Sequence, residues 1–191
     1  MRKAIFIDKD GTLIPDIPYN VDPDKIIFED GVIESLRNFK RYGYTLIMVT
    51  NQSGIAKGFF SMEALSNLFV SLQNRLALQN VALDAIYFCP HYPCGIVDKY
   101  VLDCTCRKPK PGMILKAASE WNIDLKQSWM IGDILNDVEA GARAGCSTIL
   151  IDNGNETEWL TGEYRKPSHT AKRFAEAADV ILDKRLIENE S

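Results

Sequence analysis

The chain has 191 residues, 46% of them apolar and 25% charged, with 12 Gly and 8 Pro. That is the size of one ordinary α/β domain, able to bury roughly 70% of its unfolded surface, and it excludes a disordered or fibrous polymer. Twenty-two Lys and Arg against 26 Asp and Glu leave a net charge of -4. A general polyanion binder is thereby excluded, because affinity for a phosphate backbone needs clustered positive charge. A local pocket for one or two phosphates stays open. No apolar run approaches the ~20 residues of a membrane span, and the first apolar stretch, residues 4–7, is too short for a signal peptide. A cytoplasmic monomer with no membrane or nucleic-acid partner is expected. Five cysteines, an odd count in a reducing compartment, point to metal ligands or buried thiols before disulfides.

Residues 4–7 form an apolar run that stops at Asp8-Lys9-Asp10-Gly11, the pattern of a buried parallel strand opening into a loop. Residues 31–42 carry Val32, Leu36 and Phe39 at helical spacing, and Gly43 supplies a stop. A second strand, 45–49, ends in Thr50-Asn51-Gln52-Ser53-Gly54. Ser61 caps a helix whose Leu65, Leu68, Phe69, Leu72 and Leu76 share one face. A third strand over 85–88 leads into the cysteine-bearing stretch 89–106. Pro111 suits the first turn of a helix holding Ile114, Ala117, Ala118 and Trp121. A strand at 129–131, a helix opened by Gly132-Asp133 and ending near Gly145, and a strand at 147–151 follow. Residues 152–170 read as irregular, and a helix over 171–178 and a strand over 180–182 close the chain.

This alternation predicts an α/β fold: a Rossmann-like parallel sheet with helices on both faces, in a single domain over 1–191. The intervals 12–50 and 50–108 leave no room for a cap domain. Ligands of such sheets bind beyond the carboxyl ends of the strands, where Asp8, Asp10, Thr50, Asp133 and the Cys89 loop fall.

Two carboxylates at positions 8 and 10, with Gly11 letting the chain bend, cannot both enter the core. An EF-hand is excluded, since its obligatory Gly would fall at Leu13. Singly, Thr50 reads as a strand end, Lys108 as a surface lysine and Asp133 as a helix cap. Asp137, on the same helix face as Asp133, is a supporting acid or a solvated one and is left outside the metal ligands.

As a set these residues say more. Ile5-Phe6-Ile7-Asp8-Lys9-Asp10-Gly11-Thr12 resembles the first motif of the haloacid dehalogenase-type phosphatases. The family's other motifs follow in order: Thr50 closing a strand, Lys108 before a helix, Gly132-Asp133 after another strand. The resemblance spans about residues 2–151. It implies that Asp8 attacks phosphorus to form an aspartyl-phosphate, and that Asp10 acts as general acid and then base. Thr50 and Lys108 would hold the equatorial oxygens. Magnesium would sit on the Asp8 carboxylate, the Asp10 main-chain carbonyl and Asp133.

Cys89-Pro90-His91 and Cys104-Thr105-Cys106 give C-x-H and C-x-C, twelve residues apart. Three thiolates and an imidazole complete a closed tetrahedral zinc site, so this metal is expected to be structural, in a zinc loop over 89–106. Cys94 is a rival for one of the four positions, and Cys146 reads as a small buried hydrophobe. Because Cys106 directly precedes Arg107-Lys108, closing the zinc site would fix where those side chains point.

With this loop the chain resembles two groups within the family, the heptose 1,7-bisphosphate 7-phosphatases and the histidinol-phosphate phosphatase domains, and Ser53-Gly54-Ile55-Ala56 favours the first. The implied substrate is a small phosphorylated sugar on the way to lipopolysaccharide precursors. Asp16, Tyr19, Asn51, Gln52, Ser53 and Arg107 would contact it. Arg107 either reads a second anionic group or balances an acidic pocket. One departure is Ile134, where the heptose group often carries a basic residue. A non-catalytic zinc module is the competing class, and it would tolerate loss of Asp8.

Overall fold

Strand β1 (Lys3–Ile7) sets the architecture. Ala4 and Phe6 face one way, Ile5 and Ile7 the other, and all four are fully buried, as a strand covered on both sides requires. The computed structural model describes residues 1–189. Five further strands, β2 (Tyr44–Asn51), β3 (Ala85–Cys89), β4 (Trp129–Gly132), β5 (Ser147–Ile151) and β6 (His169–Ala171), pair parallel in the order β3-β2-β1-β4-β5-β6.

The Ile5 and Ile7 side packs against α1 (Val32–Arg41), α2 (Met62–Leu78) and α5 (Phe174–Asn189). The Ala4 and Phe6 side packs against α3 (Gly112–Trp121) and α4 (Leu135–Ala144). This is the expected Rossmann-type sheet with helices on both faces, and the described residues form no cap domain. No helix among them is long and apolar enough to cross a membrane. Local signals hold as well: the Ser61 hydroxyl accepts the Ala64 N–H at 3.1 Å, and Gly145 ends α4 in the left-handed conformation.

One element differs from the sequence reading. Residues 180–182 lie inside α5, and the last strand is instead the short edge strand β6 before it. Phe174, Ala177, Ala178 and Ile181 are all buried, a spacing of three and four that makes one helical face and outweighs the β-branched run. Pro111 also falls one position earlier than expected, as the residue preceding α3.

Strand order reverses at β1, whose neighbours are β2 and β4. The Asp8 N–H donates to the Ile131 carbonyl at 3.0 Å, so the exits of β1 and β4 stay side by side. That crevice is where open parallel sheets hold their ligands.

Candidate active site

A cleft of about 310 Å³ opens at these carboxyl ends, with Asp8, Asp10, Thr50, Lys108 and Asp133 in its lining. Gly11 carries the chain past Asp133 with a φ of +75, and a Cβ there would lie 2.0 Å from Asp133 Oδ2. Only glycine tolerates both the dihedral and the approach.

Lys108 reaches the cleft floor from the far end of the zinc loop. Its ammonium, 3% exposed, lies 2.6 Å from Asp8 Oδ1, 2.5 Å from Asp137 Oδ1 and 2.9 Å from the Val49 carbonyl. Its backbone is clamped by one side chain: Asn51 Oδ1 accepts the Lys108 N–H and Asn51 Nδ2 donates to the Lys108 carbonyl, each at 3.0 Å. Burial alone would favour the neutral amine, but the Asp137 and Asp8 charges outweigh it and hold the ammonium above the ordinary lysine range.

Asp137 is therefore neither solvated nor peripheral. It is fully buried beneath the site, and its Cβ lies 2.3 Å from where a Cβ on Gly132 would stand. Asp8, Asp133 and Asp137 bring carboxylate oxygens within 4.8 Å of one another. Burial lifts Asp133 to about 8, with the charges of Asp8 and Asp137 adding to it. Burial likewise lifts Asp137 to about 7 against the pull of Lys108. Three buried carboxylates share one ammonium, so negative charge is left uncompensated on hard oxygens. That donor set fits magnesium.

Asp10 stands beside this cluster with both carboxylate oxygens engaged. Lys9, itself 1% exposed, donates to Oδ1 at 2.6 Å, and Gln52 Nε2 donates to Oδ2 at 3.1 Å. Burial raises the Asp10 pKa above the ordinary carboxylate value, the Lys9 charge opposing and the Asp8 charge reinforcing that rise. The second proton of Gln52 Nε2 reaches Thr50 Oγ1 at 2.9 Å, so Gln52 ties Asp10 to the end of β2.

Asp16, Tyr19, Asn51, Gln52 and Ser53 also line the cleft, as does Ile134. Tyr19, in the left-handed conformation at φ 55, accepts a hydrogen bond from Lys57 Nζ at 2.7 Å and meets the Phe59 ring edge-on. Arg107 is not in the lining itself but stands on Tyr92, whose ring also faces the Lys57 ammonium that donates to Tyr19. Its guanidinium lies 5.2 Å from the centre of the Tyr92 ring and 3.5 Å from the His91 carbonyl.

Sequence reasoning passed over the segment after β5. Asn155 Nδ2 donates to Asp133 Oδ2 and Asn153 Nδ2 to the Gly11 carbonyl, both at 2.8 Å, while Glu156 accepts the first N–H of α4 from Leu135. Asn153-Gly154-Asn155 reads locally as a turn and nothing more.

Behind the cleft, Cys89, His91, Cys104 and Cys106 place one ligand atom each within 4.8 Å of the others. Neighbouring ligand atoms lie 3.1 to 3.7 Å apart, close to the ~3.7 Å edges of a tetrahedron built on zinc–sulfur bonds of about 2.3 Å. The sulfurs are too far apart for disulfides. Burial pushes the Cys104 thiol up, but hydrogen bonds from Cys106, Cys89 and the Arg107 amide outweigh it and lower the pKa to about 7. Cys94 is exposed and stands outside the group, which removes it as a rival ligand. The four donors suit zinc.

Known proteins resemble this chain over most of its length. A D-glycero-beta-D-manno-heptose-1,7-bisphosphate 7-phosphatase of Haemophilus influenzae is 47% identical over 164 residues, covering 85% of this chain and 87% of that protein. The chain belongs to the heptose-bisphosphate phosphatase branch of the haloacid dehalogenase-like hydrolases. It is a phosphatase. The corresponding enzyme of Escherichia coli K12 is 43% identical over 82% of this phosphatase and 87% of its own length. A HAD-hydrolase-like family model matches residues 105–177. Among solved structures, the D,D-heptose 1,7-bisphosphate phosphatase of B. bronchiseptica, complexed with magnesium and phosphate, superposes with a TM-score of 0.82 at 31% identity, over 95% of this chain and 99% of that one.

Proposed function

We propose that the chain, as one domain over residues 1–191, removes the 7-phosphate of D-glycero-D-manno-heptose 1,7-bisphosphate through a phosphoenzyme on Asp8. The meeting of Asp8, Asp133 and Lys108 in one cleft, with Asp10 beside them, carries this reading. A carboxylate oxygen of Asp8 attacks phosphorus while the bond to the sugar oxygen breaks, and Asp10, protonated, gives its proton to that leaving oxygen. Asp10 then takes a proton from water. The water oxygen attacks phosphorus, the Asp8–phosphate bond breaks, and inorganic phosphate leaves with Asp10 protonated again.

Thr50 Oγ1 accepts from Gln52 and so keeps its own proton for a phosphoryl oxygen. The Lys108 ammonium donates to Asp8 Oδ1 and the Val49 carbonyl and forms an ion pair with Asp137 Oδ1. A phosphoryl oxygen enters in place of Asp8 Oδ1, whose charge is lost as Asp8 joins phosphorus. Magnesium held by Asp8, the Asp10 main-chain carbonyl and Asp133 supplies the neutralising charge that lets an anionic nucleophile approach a phosphate. Asp16, Tyr19 and Ser53 contact the sugar around the mouth.

Phosphate release with magnesium, compared between both anomers of the bisphosphate and histidinol phosphate, tests the substrate. Hydrolysis of the bisphosphate at its 7-position alone is expected. A preference for histidinol phosphate would move the enzyme to the other group its zinc loop resembles.

Zinc on Cys89, His91, Cys104 and Cys106 acts at one remove, since Arg107 N–H bonds Cys104 Sγ at 3.3 Å and Lys108 follows directly. Stripping zinc and returning the protein to excess magnesium is expected to lower kcat about 10- to 100-fold, the usual effect of disturbing groups that orient a reactive residue. Metal content by atomic emission must accompany the assay, and full activity with zinc gone would break the link.

A further inference from the structure

The segment that follows β5 has no periodicity and no charge pattern of its own, yet it grips the site at three points. Asn153 Nδ2 holds the Gly11 carbonyl at 2.8 Å, Asn155 Nδ2 holds Asp133 Oδ2 at 2.8 Å, and Glu156, 8% exposed, receives the Leu135 N–H at 2.6 Å. The segment is also tied to itself. Asn153 Oδ1 accepts the Asn155 N–H at 3.2 Å, and Glu156 Oε1 accepts the N–H groups of Glu158 and Trp159 at 2.8 and 3.3 Å.

We propose that residues 153–156 form a brace that sets the magnesium affinity of the site, with Asn155 as the positioning residue for the Asp133 carboxylate. This rests on the magnesium reading above and extends it to residues outside the four phosphatase motifs. Asp133 accepts hydrogen bonds from two side chains: Thr12 Oγ1 at 3.4 Å from Oδ1, at the weak limit of a hydrogen bond, and Asn155 Nδ2 at 2.8 Å from Oδ2. Rotation about the terminal bond of an aspartate is soft, so without Asn155 the carboxylate is free to turn away from the cation. With it, Oδ2 is anchored and the carboxylate keeps one orientation.

The residue type matters. An amide donates without bringing positive charge, so it orients the ligand without competing with the cation, as a lysine or arginine in its place would. Asn153 adds the second half of the device. By holding the Gly11 carbonyl it registers the bend that follows Asp10 on the segment that orients Asp133. Two motifs more than 120 residues apart are thus set against each other by one turn.

The test is manganese binding to the full-length, zinc-loaded chain, followed by electron paramagnetic resonance. Asn155→Ala is expected to raise the manganese Kd about 10- to 100-fold, the range seen when a partner of a ligating carboxylate is removed. The half-saturating magnesium concentration for activity should rise in step, with kcat at saturating magnesium within about threefold of the parent, a split that a general loosening of the fold would not give. Asn155→Ser, which keeps a shorter donor, should fall between the two and serves if the alanine variant does not fold. An unchanged Kd in either folded variant overturns the brace. Asp133→Asn is the companion measurement. It should lose manganese binding, and parental affinity there would instead bring down the magnesium site itself, and the brace with it.

Discussion

Replacing Asp8 with asparagine is expected to lower turnover by about 10⁴-fold or more, the scale on which a covalent nucleophile is missed, while the protein folds and keeps its zinc. The substitution is nearly isosteric, and Lys108 retains Asp137 at 2.5 Å and the Val49 carbonyl at 2.9 Å. Electrostatics favour the variant in the absence of magnesium, because part of the upward pressure on Asp133 and Asp137 comes from the Asp8 charge. The metal-free variant also gives up the Asp8–Lys108 ion pair at 2.6 Å, so the two contributions oppose each other and it should melt close to the parent. Phosphate release and a thermal melt on the same preparation check both halves. Activity within about 100-fold of the parent would remove Asp8 as nucleophile, since positioning and charge stabilisation by the remaining groups account for no more than a residual rate.

How much of this was legible in the sequence follows from distance along the chain. Asp8, Asp10 and Gly11 are consecutive or nearly so, and an apolar run that stops at a carboxylate places them on a strand end with no further information. Helices on both faces were legible from the alternation of apolar strands with helical stretches, and the burial of Ile5 and Ile7 on one side and Ala4 and Phe6 on the other matches it. The zinc donors were legible as two tight pairs. What escaped depends on contacts that no local pattern encodes.

Arg107 adjoins Lys108, yet its stack on Tyr92 in an irregular loop could not be read from that adjacency. Residues 180–182 look like a strand until the buried positions Phe174, Ala177, Ala178 and Ile181 are seen together. Asn155 meets Asp133 only because β5 returns the chain to the same end of the sheet. Asp137, on a helix that begins just after Asp133, gave no sign that its partner would be a lysine from the end of the zinc loop.

That last contact carries the second large effect. Asp137→Ala is expected to destabilise the protein by about 3–5 kcal/mol, the cost of breaking a buried ion pair from one side, which for a chain of this length lowers the melting temperature by roughly 10 °C. Two opposing contributions decide the sign. Removing Asp137 relieves its repulsion with Asp8 and Asp133, whose oxygens lie up to 4.8 Å away. It also deprives an ammonium that is 3% exposed of a partner at 2.5 Å. Coulomb attraction falls with distance and the ion pair is the nearer contact, so the loss wins. Asp137→Asn, which keeps an acceptor oxygen near Lys108, should cost less, about 1–3 kcal/mol. The double variant Asp137→Ala with Lys108→Met should be more stable than Asp137→Ala alone, because the unpaired buried charge is gone, and adding the Lys108→Met single variant closes the cycle that measures the pair. Catalysis should follow a different order. Both Lys108→Met variants lack the ammonium that holds the phosphoryl oxygen and stay inactive whatever their stability, whereas Asp137→Asn keeps an ammonium that is less firmly aimed and retains part of kcat. Parental melting of Asp137→Ala would show that Asp8 and the Val49 carbonyl suffice to hold Lys108, and would make Asp137 a spectator beneath the site.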